Sequence, residues 1–218
     1  MSFIVAIDGP AGSGKGTVTK QVAQEMGLTN IDTGATYRCV ALAVIENNVL
    51  LEEKSKIIEL AKNIKIDMDT EQNVFLNGRN VTQQIRSKEV SAIVSQISSI
   101  KDVRLLMVDL QRKLAEGKDV IMEGRDITTY VFPNADVKIY LDASIEERAK
   151  RRYKEMQERQ IEATYEEILE NIKMRDENDK NKEIGSLKIA PDAIVIDTTE
   201  LSIEKVTEKV KEIIKSAR

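Results

Sequence analysis

The chain alternates short, nearly unbroken apolar runs with longer stretches whose apolar residues recur every three or four positions. The runs are Phe3–Asp8 (FIVAID), Asp119–Gly124 (DVIMEG), Asp136–Asp142 (DVKIYLD) and Asp192–Asp197 (DAIVID). Runs this short and this apolar predict strands buried on both faces, as in a parallel sheet. Lys15–Met26 sets Val18, Val22, Ala23 and Met26 on one side of a helix, and Ser144–Gln160 and Ser202–Ser216 carry helical patterns as well. Short strands alternating with helices predict an α/β fold, a doubly wound parallel sheet flanked by helices.

Two segments break the alternation. Asn63–Thr82 (NIKIDMDTEQNVFLNGRNVT) switches to a two-residue period and contains the turn pair Asn77-Gly78. It predicts a small antiparallel insertion, with its core at about 63–85, set between helices. Thr164–Lys182 is long, helical and highly charged, with few apolar anchors, so it is expected to stand partly away from the core.

Composition narrows the picture. The 218 residues suit one domain spanning 1–218 with a small insertion, and 41% apolar residues suffice for a sizeable core. A net charge of −4 argues against a partner as anionic as nucleic acid, so a bound anion must be held by a local cluster of Arg and Lys. The single cysteine, Cys39, lies in an apolar run and reads as a small buried side chain. There is no histidine, which excludes Ser-His and Cys-His catalysis and histidine-ligated zinc. No apolar run nears the ~20 residues of a membrane span, and the N-terminus lacks a basic leader. A cytoplasmic, monomeric protein acting on small molecules is the expectation.

The sharpest motif is GPAGSGKGT, Gly9 to Thr17, between the first strand and the first helix. Gly9, Gly14 and Lys15 meet the G-x-x-x-x-G-K spacing of a phosphate-binding loop. Glycines let backbone N–H groups curl around a β-phosphate, aided by the helix N-terminus. Lys15 is expected to reach the β- and γ-phosphates from a solvent-filled site. Gly16 follows where a Ser or Thr is usual, and the hydroxyl arrives one place later, at Thr17, the candidate magnesium ligand. The motif specifies phosphate binding without distinguishing a kinase from a GTPase or a motor; guanine recognition normally brings N-K-x-D, which the sequence lacks.

Four further blocks accompany the loop: IDTGATYR (Ile31–Arg38), SQISSIKDVR (Ser95–Arg104), EGRD (Glu123–Asp126) and RDENDKNK (Arg175–Lys182). In this order and spacing the five blocks closely resemble the bacterial cytidylate kinase family of P-loop nucleoside monophosphate kinases. The resemblance covers essentially the whole chain, insertion included. It implies transfer of the γ-phosphoryl group of ATP to CMP or dCMP, giving CDP or dCDP, with Mg2+, and a closing helical lid at about 155–186. It also implies residue roles. Gly9, Pro10, Ala11, Gly12, Ser13, Gly14, Lys15, Gly16 and Thr17 would hold ATP, while Arg38 and Arg125, with Tyr37 beside them, would meet the acceptor phosphate. Arg104 and Asp126, helped by Ser95 and Thr33, would read cytosine. Arg175 and Asp179 would contact the sugar, and Lys182 stands where the family has arginine.

Bland alternatives stay open beside these roles. Arg175, Asp179 and Lys182 at i, i+4 and i+7 also suit a solvated helical face with an i,i+4 ion pair. The run ERAKRR (Glu147–Arg152) is either a charged surface or a reach toward ATP, and Glu123 is either a magnesium-side carboxylate or a strand terminus. Other functions remain in view: a kinase of UMP, dTMP or shikimate, or an ATP-binding switch that transfers nothing.

Overall fold

The structure, a computed structural model, describes residues 2–69, 71–158 and 161–218. In chain order the elements are β1 (Ile4–Asp8), α1 (Lys15–Met26), β2 (Thr29–Asp32), α2 (Thr33–Glu46), α3 (Lys54–Asn63), β3 (Ile66–Met68), β4 (Val74–Leu76) and β5 (Arg79–Asn80). Then come α4 (Lys88–Ile97), α5 (Lys101–Ala115), β6 (Val120–Gly124), β7 (Val137–Asp142), α6 (Ile145–Glu158), α7 (Tyr165–Lys180), β8 (Ile194–Asp197) and α8 (Ile203–Ala217). The helix expected over Ser144–Gln160 is thus seen to Glu158; Arg159 and Gln160 lie outside the described residues, as does Thr70 in the insertion.

Five strands form the main sheet in the order β2-β6-β1-β7-β8, every neighbouring pair parallel. Alternation of side chains sends Val5 and Ile7 to one face and Ala6 to the other. On the first face they meet Val18 and Val22 of α1 and Val206, Val210 and Ile214 of α8. On the second, Ala6, Val120 and Met122 pack on Val108 and Ala115 of α5. Burial on both faces is why β1 and β6 read as continuous apolar runs. Strand β8, expected to be buried likewise, forms the sheet edge with Ile194 and Val195 exposed.

The insertion is a three-stranded antiparallel sheet, β3-β4-β5, turning at Asn77 and Gly78, both with positive φ. Strands of two or three residues cannot bury themselves. A second core therefore runs from α2 through α5, joining Val40, Ile57, Val74, Ile85, Val94 and Met107. Helices with their own apolar stripes thus complete the core on which the short strands lie.

Helix α7 starts at a capping box in which Thr164 and Glu167 exchange hydrogen bonds of 3.2 and 2.9 Å. It carries more apolar anchorage than its composition suggests: Ile168 and Ile172 bury against Ala149 of α6, and Tyr153 and Tyr165 stack edge to face. This cluster is separate from both sheet faces.

Ile139 and Ile194 are register partners on β7 and β8, yet Ile139 is fully buried and Ile194 is 48% exposed. Ile139→Ala should cost about 3 kcal/mol and Ile194→Ala under about 1 kcal/mol. Urea unfolding midpoints measure both; equal losses would contradict the described edge of the sheet.

Candidate active site

The carboxyl ends of β1, β2 and β6 bring the motifs to one edge, where open α/β sheets bind ligands. After β1 the chain turns through Gly9 and Gly14, at φ 153° and 89°. A side chain on Gly9 would overlap the Leu141 carbonyl of the adjoining strand, and Gly14 caps α1 in the left-handed region. Pro10 to Ser13 form the crown between them, and the loop ends in the first turn of α1 with Gly16 and Thr17 exposed. Lys15 is not solvated as its motif suggests. Its Nζ donates to the carbonyls of Gly9 and Pro10 at 2.7 and 2.8 Å and to Ser13 Oγ at 3.2 Å. Burial and the nearby Arg125 push its pKa down, while Glu123 opposes them. A buried ammonium needs acceptors, and the loop carbonyls are the ones in reach.

Glu123, at the end of β6, stands against Gly16: a Cβ there would lie 3.0 Å from Glu123 Oε1. The missing hydroxyl of the motif thus leaves room for a carboxylate. Burial and then its register partner Asp32 push the Glu123 carboxyl up.

The residues after β6 are aimed by Asp8, which sequence reasoning passed over although it directly precedes the loop. Its carboxylate accepts from Ile127 N at 2.9 Å, Thr128 N at 2.7 Å and Thr128 Oγ1 at 2.6 Å. These bonds pin the turn that presents Arg125 and Asp126. Thr33 Oγ1 donates to the Glu123 carbonyl at 2.7 Å, fixing the start of α2 to the same strand end.

Asp126 is buried and pairs with Arg104, itself buried on α5; Arg104 Nη1 also donates to the Ser98 carbonyl at 3.0 Å. The Arg104 guanidinium lies 5.4 Å from the centroid of the Tyr37 ring, which places Tyr37 beneath the arginine. Arg104 Nε and Ser95 Oγ are buried polar atoms with no hydrogen-bond partner among the described residues. Gly185, at φ 63°, closes on this pair; a side chain there would overlap both the Asp126 carboxylate and Arg104. The sequence pattern gave no sign of Gly185.

Arg38 is steadied by Ile85 O at 3.1 Å and Ser91 Oγ at 2.9 Å. Its field is dominated by burial, then Asp32, then three other arginines: Arg86, Arg152 and Arg125. Arg175 lies near Arg125, Arg38 and Arg152, forms no ion pair or hydrogen bond among the described residues, and has its pKa pushed down to about 10 by burial and Arg125. The expected face of Arg175, Asp179 and Lys182 is rearranged. Helix α7 ends at Lys180, so Lys182 lies beyond it, and Asp179 pairs with Lys182 and Arg125 rather than with Arg175. The distances are 2.7 Å from Lys182 Nζ to Oδ1 and 2.9 Å from Arg125 Nε to Oδ2, using both carboxylate oxygens.

A glycine loop facing a cluster of arginines across the carboxyl ends of a parallel sheet is the arrangement of a small P-loop kinase. The shikimate kinase of Bacteroides thetaiotaomicron shares the fold at a TM-score of 0.51 and 12% identity, each chain 98% covered. At sequence level, the profile of the cytidylate kinase family matches residues 5–216. The cytidylate kinase of Caldicellulosiruptor bescii is 48% identical over 96% of this chain and 94% of its own length. That of Alkaliphilus oremlandii is 46% identical over 99% of each. The chain belongs to the cytidylate kinase family. Among the described residues no helix is long and apolar enough to cross a membrane.

Asp179 supplies a pH test. Burial opposes its ionisation, but Arg125 and then Lys182 outweigh it and hold the carboxyl well below its usual value. The unfolded chain therefore takes up this proton first as pH falls, and the stabilisation present above the ordinary aspartate pKa is lost toward the depressed one. Between about pH 4 and 2.5 the wild-type Tm should fall more steeply than that of Asp179→Asn, by at least about 3 °C. Parallel acid limbs would refute the pairing.

Proposed function

We propose that the chain transfers the γ-phosphoryl group of ATP to CMP or dCMP, forming ADP and CDP or dCDP. The observation that carries the base preference is the buried Arg104–Asp126 pair, with Arg104 Nε, and Ser95 Oγ on α4, buried without hydrogen-bond partners among the described residues. Cytosine offers an N4 amino donor beside acceptors at N3 and O2. Asp126 accepts from N4, Arg104 donates to the acceptor side, and Ser95 completes the edge. Thr33 and Tyr37 act behind these groups, one fixing α2 and the other supporting Arg104. Uracil would set its O4 carbonyl against the carboxylate, a loss of roughly 2–4 kcal/mol in a desolvated pocket.

The acceptor is a phosphate oxygen, already anionic near neutral pH, so no general base is required. The new bond joins that oxygen to the γ-phosphorus as the bond to the β,γ-bridging oxygen breaks. In this loose transition state the protein's task is to position reactants and neutralise charge. Gly9 to Thr17 hold the donor phosphates by backbone N–H groups. Lys15 exchanges the Gly9 and Pro10 carbonyls for phosphate oxygens, an exchange of weak acceptors for strong ones. Arg38 and Arg125 grip the acceptor phosphate, with Arg175 and Arg152 adding positive field. Asp179 and Lys182 draw the helix carrying Arg175 over the site and border the sugar. We take 155–186 as a lid whose closure excludes water, the competing acceptor. The Thr17 hydroxyl and the Glu123 carboxylate are the hard oxygen donors that suit Mg2+, which would neutralise phosphate charge.

Two outcomes are expected. Lys15→Ala should lower kcat by about 10²–10³; near-wild-type turnover would remove Lys15 from the donor phosphates. Asp126→Asn should erode the CMP preference, because an amide can turn its N–H2 toward uracil O4. The ratio of kcat/KM for CMP and UMP, followed by ADP release, should be on the order of 10² in the wild type and markedly smaller in the variant. An unchanged ratio would show that Asp126 does not read the base.

A further inference from the structure

Arg148, in the first turn of α6, touches three separate parts of the chain. Its Nε donates to the Ala143 carbonyl at 3.0 Å, its Nη1 to the Ala11 carbonyl at 3.0 Å, and its Nη2 pairs with Asp176 Oδ2 at 2.7 Å. Ala143 follows β7, Ala11 lies in the crown of the glycine loop, and Asp176 is on α7. The two side chains are only 6% and 12% exposed. The loop also abuts α6 directly: a Cβ on Gly12 would come within 3.1 Å of Arg148 Cβ and 3.2 Å of its carbonyl oxygen. A guanidinium holds its donors in one rigid plane, so meeting three acceptors at once fixes all three relative to one another.

Asp176 and Asp179 are one turn apart on the buried face of α7. Asp179 takes Arg125 of the acceptor side, while Asp176 takes Arg148, which holds the Ala11 carbonyl of the glycine loop. The second Asp176 oxygen, Oδ1, is buried without a hydrogen-bond partner among the described residues, so the ion pair to Arg148 is the carboxylate's polar tie there. If α7 swings out, Arg148 keeps two carbonyls and loses its counter-charge. A buried arginine without a carboxylate is costly, which favours release of Ala11.

We propose that Arg148 is a positioning residue for the donor phosphates and that Asp176 makes its action conditional on α7 being docked, so that acceptor binding tightens donor binding. The proposal rests on the kinase reading above. One helical face thereby couples the two substrates: contacts that draw Asp179 toward the acceptor arginines also set Asp176 against Arg148 and hold the loop crown in place.

The test is calorimetric binding of the β,γ-imido analogue of ATP with and without CMP, for wild type, Asp176→Asn, Arg148→Lys and the double variant. CMP should tighten analogue binding by about fivefold or more in the wild type. Asp176→Asn, nearly isosteric, should reduce this to less than about twofold while leaving affinity for CMP alone little changed. The Tm of the free protein should fall, because Arg148 loses its counter-charge. A fall in Tm alone, with wild-type tightening, would leave Asp176 a purely structural residue and overturn the coupling. Arg148→Lys keeps the charge but cannot serve all three acceptors, so it should behave the same way, and the double variant should be no worse than either single. Tightening of wild-type size in Asp176→Asn, no tightening in the wild type, or additive losses in the double variant would overturn the coupling. A wild type that binds both ligands but transfers no phosphate to CMP would instead overturn the kinase reading.

Discussion

Four arginines, Arg38, Arg125, Arg152 and Arg175, lie within electrostatic reach of one another, and the buried carboxylate that meets them from α7 is Asp179. Like charges gathered in a partly buried space repel, so this arrangement stands only if something anionic is held among them. Asp179 gives one oxygen to Arg125 and the other to Lys182, leaving Arg175 with no ion pair among the described residues, while Arg38 has Asp32 in its field. A protein of net charge −4 therefore presents a local concentration of positive field, the environment in which a transferring phosphoryl group is stabilised.

Placing that carboxylate requires much of the fold. Asp179 sits on a helix begun by the Thr164–Glu167 capping box and held by Ile168 and Ile172 against α6. Arg125 extends from a turn pinned by Asp8, which ends the strand leading into the glycine loop. The central β1 thus organises two parts of the site at once: its backbone continues into the glycine loop, and its last side chain pins the turn that carries Arg125. A parallel sheet suits this because its carboxyl ends deliver several such turns to the same edge.

What the sequence revealed, and what it hid, follow from the range of the interactions. Most of the main sheet was legible because strands buried on both faces must be apolar, as β1 and β6 are; β8 read the same way although Ile194 and Val195 are exposed at the sheet edge. Gly9, Gly14 and Lys15 were legible because the loop's backbone geometry is imposed locally. Asp8, Asp176 and Gly185 were missed, and Arg148 stood only within a charged run, because each acts through tertiary partners or a close approach that no periodicity encodes. Asp8 meets Ile127 and Thr128, 119 and 120 positions away, Arg148 meets Ala11, 137 away, and Asp176 meets Arg148 on another helix. Helical spacing suggested an Arg175–Asp179 ion pair, but tertiary partners won: Arg125 offered Asp179 a better-placed donor, and the helix stopped before Lys182. Lys15 departed from expectation for a similar reason, since burial drove its ammonium onto the loop carbonyls.

The central claim is that the arginine cluster is held for an anion and supplies most of the acceptor's binding. Calorimetric titration with CMP and with cytidine, each at low and high salt, tests it most directly. CMP should bind on the order of 10²-fold more tightly than cytidine, and added salt should weaken CMP much more than cytidine. Affinities within a few-fold of each other, equally insensitive to salt, would contradict the account.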